Sequence, residues 1–129
     1  MPVFELSNPE TVHRGVTSYS LAAVVKPEAR RVIVSGQIGA APDGAVSTDP
    51  AAQIEQAYAN IAAVLAAHGL WLRDIVKTTV FLTDRSQIGP YREVRARVMG
   101  DHAPASTLLI VSGLADPRFL VEIEAEAVG

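Results

Sequence analysis

Three carboxylates alternate along the last apolar run of the chain. Glu122, Glu124 and Glu126 are interleaved with Val121, Ile123, Ala125 and Ala127. A period of two places the glutamates on one face of a strand and the apolar residues on the other. Carboxylates so arranged can take protons, meet basic partners or simply face water. Arg92, Arg95 and Arg97 form the densest cationic group. His13, His68 and His102 stand at no ligand spacing from one another and there is no cysteine, so the sequence predicts no metal centre, thiolate chemistry or disulfide. Neither a glycine-rich phosphate loop nor a local Ser-His-Asp signature is present.

The bulk properties narrow the function classes. The 129 residues suggest one domain over 1–129, and 49% hydrophobic content with 19% charged residues is too apolar for a disordered chain. Net charge is -3, and the 11 basic residues form no dense run, which argues against a nucleic-acid surface. Residues 1–10 lack a basic segment followed by an apolar run, and no stretch approaches the roughly 20 apolar residues of a membrane helix. The expectation is a cytoplasmic protein without membrane partners.

The elements that must position these residues alternate in type. Ser18–Val25 and Arg31–Gly36 read as strands that could form a hairpin across Lys26-Pro27-Glu28. Asp49 as N-cap and Pro50 at the first helical position open a helix to about His68, with Ile54, Tyr58, Ile61 and Leu65 at helical spacing. Ile75–Leu82 reads as a strand. A second helix is expected over about Gln87–Met99, with Pro90 in its first turn, Tyr91, Val94 and Val98 facing inward and Gly100 ending it. Thr107–Val111 and Leu120–Val128 complete a ββ-α-β-α-ββ order. This predicts an α+β domain, with two helices on one face of a mixed sheet. The other face would carry Glu122 and Glu124 with Thr78 or Thr79, covered by water or by another subunit.

Four segments in order resemble the RidA/YjgF family: Val34-Ser35-Gly36-Gln37-Ile38, Ile75–Leu82, Pro104-Ala105 and Val121-Glu122-Ile123-Glu124-Ala125. The similarity runs from Tyr19 to Ala127. It implies a chorismate-mutase-like fold, a homotrimer with sheets inward around a central barrel, and ligand clefts between subunits. It also implies cofactor-independent hydrolysis of reactive 2-imino acids, or retention of the cleft as a small-molecule-binding or regulatory module.

The resemblance assigns candidate roles. Glu122 matches the glutamate that positions the hydrolytic water; the plain alternative is an exposed strand carboxylate. Tyr19 matches a cleft tyrosine, or is an interface or core residue. Ser35 and Gly36 match a turn lining the same cleft; the plain alternative is that Gly36 only closes a strand. The family's carboxylate-binding arginine directly follows Pro-Ala, and here that position is Ser106. One neutral hydroxyl replaces a charged, two-pronged donor, which predicts altered substrate choice. Arg92, Arg95 and Arg118 are the possible replacements. Arg92 is the leading one, reaching the cleft from a neighbouring subunit, unless it is a solvated helix arginine.

Overall fold

The computed structural model describes residues 3–14 and 19–129. Eight strands and helices follow as β1 (Phe4–Ser7), β2 (Ala22–Val25), β3 (Arg31–Ile38), α1 (Pro50–Ala66), β4 (Ile75–Leu82), α2 (Ile88–Met99), β5 (Ala105–Ile110) and β6 (Val121–Val128).

α1 starts where its sequence requires. The Asp49 carboxylate accepts from the Ala52 N–H at 3.2 Å, and Pro50 occupies the first turn. The helix stops two residues before the expected His68, and Gly69 follows at φ 74°. α2 begins at Ile88 and holds Pro90 in its first turn, where the missing N–H has no intrahelical partner to lose. Gly100, at φ 58°, ends it.

The main sheet runs β3-β6-β4-β5. β6 lies antiparallel to both neighbours, and β4 runs parallel to β5 through the α2 crossover. Val34, Val80, Leu82, Val121, Ile123 and Ala125 turn toward the helices and are buried. Ile54, Tyr58, Ile61 and Leu65 from α1, and Tyr91 and Val94 from α2, close the core above them. Each such side chain contributes roughly 1.5–3 kcal/mol on full burial.

The opposite face follows the same period of two. Lys77, Thr79 and Phe81 of β4 stand across from Glu126, Glu124 and Glu122 of β6. Thr79 is therefore the threonine of this face; Thr78 turns toward the helices and is buried. Ile33 at 69% exposure and Leu109 at 45% add apolar area to the open face. Among the described residues, no helix is long and apolar enough to cross a membrane.

One pairing differs from the sequence expectation. β2 does not form a hairpin with β3 but pairs with β1, from Phe4↔Val25 to Ser7↔Ala22. The cause lies just upstream, at Ser20. Its N–H donates to Pro104 O at 3.2 Å and its hydroxyl to Ala103 O at 2.6 Å. These bonds anchor the segment beside β5, at the far edge of the sheet from β3. Ser18, the first residue of the expected strand, lies outside the described residues.

Candidate functional site

The candidate residues fall into two groups on opposite faces of the main sheet. The first group surrounds a cavity of about 340 Å³ between α2 and β5. α2 supplies a single helical stripe to it: Ile88, Tyr91, Arg92 and Arg95, spaced i, i+3, i+4 and i+7. β5 supplies Ser106 and Leu108, and Tyr19 closes the rim. The Ser20 bonds hold Tyr19 there by fixing its neighbour to the start of β5.

The cavity is polar below and apolar along its walls. Thr78 Oγ1 donates to Ser106 Oγ at 2.9 Å. Tyr58 and Tyr91 hydroxyls meet at 3.4 Å beneath it. Burial, then the neighbouring Tyr91, hold the Tyr58 phenol far above its ordinary range, against the smaller opposing effect of the Arg95 charge. Arg92 is exposed, whereas Arg95 is only 8% exposed. Arg92 and Ser106 line one cavity within one chain, so no neighbouring subunit is needed to bring them together.

Arg118 is not part of this cavity. Its guanidinium meets both oxygens of Asp116 at 3.1 Å in the β5–β6 connection. That pairing holds the Asp116 carboxyl below its usual range.

The second group lies on the open face. β3 carries a bulge between Val34 and Gln37, and this takes Ser35 and Gly36 out of the ladder with β6. Ser35 is exposed, and its carbonyl accepts from Gln37 Nε2 at 3.1 Å. Glu122 sits beside the bulge, opposite Phe81 on β4 and Ile38 on β3. Its carboxylate lies over Gly36, so close that a Cβ there would come within 2.5 Å of Oε2. Glu122 makes no ion pair or side-chain hydrogen bond among the described residues. Glu126, by contrast, pairs with Arg31 at 2.7 Å.

The structure thus joins Tyr19, Arg92 and Ser106, and separately joins Ser35, Gly36 and Glu122. It does not join the two sets within one chain. Ser106 is in register with Thr78, and Thr78 with Ala125, three residues from Glu122. Two strand spacings and three residues of rise separate their backbones by roughly 14 Å, with side chains on opposite faces.

One cavity residue is less legible in the sequence: Tyr91 reads as core, yet it also lines the cavity. Arg95, one of the possible replacements for the missing arginine, stands between Val94 and Val98 on the inward stripe and also lines it. His102, whose ring bonds Ile75 O at 2.7 Å and packs edge-on to Phe4, is structural. Among the described residues, no group of three or more His, Asp or Glu could hold a metal ion.

A mixed sheet with both helices on one face and an edge cavity between α2 and β5 defines a small two-layer α+β protein. The chain belongs to the RidA/YjgF family: the family model described as Endoribonuclease L-PSP matches residues 12–129. A 2-iminobutanoate/2-iminopropanoate deaminase of Salmonella typhimurium is 39% identical over 102 residues, 75% of this chain and 78% of that protein. Protein DfrA of Myxococcus xanthus is 37% identical over 118 residues, covering 89% and 88%. The crystal structure of YyfB from Yersinia pestis, a Rid family protein of unknown function, superposes with a TM-score of 0.86 at 27% identity, covering 98% of each chain. Escherichia coli TdcF with bound serine superposes at 0.73 with 29% identity, covering 97% of this chain and 98% of that one.

Proposed function

We propose that the protein binds a small acidic metabolite in a cleft completed by a second copy of itself, and hydrolyses an imine or enamine there. The observation that carries this reading is the placement of Ser106 and Glu122 on opposite faces of one sheet. A ligand can meet both only if another copy presents its open face to the α2–β5 edge. The exposed apolar residues Ile33 and Leu109 favour covering that face, and a homotrimer is the assembly proposed. The deaminase name of the Salmonella relative and the serine bound in TdcF support a ligand that carries a carboxylate.

In the assembled cleft, Tyr19, Arg92 and Ser106 of one copy hold the acid end of the ligand. Ser35 and Gly36 of the next copy line the opposite wall, and Glu122 orients a water. Glu122 accepts a proton from that water as its oxygen bonds to the imine carbon, and returns the proton to the nitrogen to give a carbinolamine. The carbinolamine hydroxyl then gives its proton, through Glu122, to the amino nitrogen as the C–N bond breaks, so ammonia leaves and the carbonyl product and the free carboxylate remain. No cofactor enters these steps. Ser106, lacking the arginine's charge, shifts preference away from 2-iminopropanoate.

The test couples a dehydratase, which releases the imine, to semicarbazide trapping of what remains. Accelerated 2-oxo acid release, lost in Glu122→Ala, is the expected result. No acceleration alongside saturable binding of small acids would assign the protein to a binding role. The Ser106 substitution is the observation that favours that second reading.

A further inference from the structure

Arg95 is a buried cation without a counter-ion among the described residues of its own chain. It is 8% exposed, and among the described residues its one protein bond runs from Nη2 to His102 O at 3.0 Å. No carboxylate pairs with it, and residues 1–2 and 15–18 contain no Asp or Glu. On the same helix, the exposed Arg97 does have an acid, Glu55 at 2.7 Å. A desolvated guanidinium carrying five donors is stable only when anions or acceptors meet it. No buried side-chain nitrogen lacks a partner among the described residues, so the Arg95 nitrogens without a protein acceptor are open to solvent, and Arg95 lines the cavity. No carboxylate lines that cavity among the described residues.

We infer that Arg95 is the acid-binding residue of this protein, taking over from position 106. The ligand's carboxylate then sits low against α2, below Tyr19, with Arg92 at the mouth as a second, solvent-screened cation. The walls define the rest of the ligand. Ile88, Leu108 and the Tyr91 ring offer apolar surface, which suits a small monocarboxylic acid with a short aliphatic or aromatic remainder. The inference rests on reading this cavity as the ligand site, and it adds which residue carries the charge recognition there.

The experiment compares 2-oxobutanoate with its neutral amide, 2-oxobutanamide, by calorimetry and by the Arg95 Nε–H resonance. The wild type should bind the acid more tightly and shift that resonance. Arg95→Met should weaken acid binding by about tenfold or more and amide binding by clearly less, so that discrimination between the two disappears. Arg95→Lys should retain part of it. Adding Ser106→Arg to Arg95→Met should recover acid preference, an outcome that loss of a purely structural arginine would not give. If the wild type prefers the acid and Arg95→Met keeps that preference, the inference fails while the ligand site stands. If the wild type binds neither compound in this cavity, the site reading itself falls.

Discussion

The Glu122 carboxylate occupies the space that a side chain on Gly36 would need, with Oε2 only 2.5 Å from the position of a Cβ. Position 36 is glycine because the carboxylate leans over the bulge, not because of a left-handed backbone: its φ lies outside the positive region. Gly36→Ala should therefore act on Glu122. The clash reaches from Oε2 back to Cγ, so the whole Glu122 side chain must swing away; the expected stability cost is about 1–2 kcal/mol, and imine hydrolysis should fall about tenfold. Denaturant unfolding and the coupled assay, run on the same variant, check both halves.

Ser106→Arg should install the charged donor that the rest of the family motif anticipates. The expected outcome is faster turnover of 2-iminopropanoate, by about tenfold or more, through a lower KM. Unchanged turnover by a folded variant would mean that position 106 does not set substrate choice.

Gln53 is fully buried in α1 and ties two loops to the helix. Its Nε2 donates to Ser47 O at 2.7 Å and Arg118 O at 2.8 Å, and its Oε1 accepts from Leu120 N at 2.9 Å. Leu120 immediately precedes β6, so this amide fixes where the Glu122 strand begins. Gln53→Leu keeps the volume but strands three backbone groups. A loss of about 2–4 kcal/mol in urea unfolding is expected.

The tyrosine pair gives a pH prediction. The Tyr58 phenol is held above its ordinary value of 10.0 by burial, so the folded state favours its neutral form. Stability from this group is complete below pH 10 and is lost as pH rises, because the unfolded chain releases the proton first. In an absorbance titration Tyr58 should ionise only with alkaline unfolding. Tyr58→Phe should shift the midpoint of that unfolding to higher pH.

Much of the fold can be read from local signals. Asp49-Pro50 and the Ile54–Leu65 stripe define α1, and the alternation in Val121–Val128 defines β6 and its two faces. β1 was missed because four residues without a flanking turn carry little signal, and its partner was misassigned because Ser20's bonds to Ala103 and Pro104 are long-range. The site was half legible. Motif positions identify Glu122, Gly36 and Ser106, but only register decides that Thr79, not Thr78, shares the face of Glu124. The absence of an acid beside Arg95 is likewise a tertiary fact.

The central claim is that Ser106 and Glu122 meet only across copies. The chain has no cysteine, so Ser106→Cys with Glu122→Cys in one chain introduces the only two thiols. A short bis-maleimide should then link chain to chain and give covalent dimers and trimers, the latter near three times the 13.7 kDa of one chain. Denaturing electrophoresis showing only single chains with both thiols consumed would contradict the account.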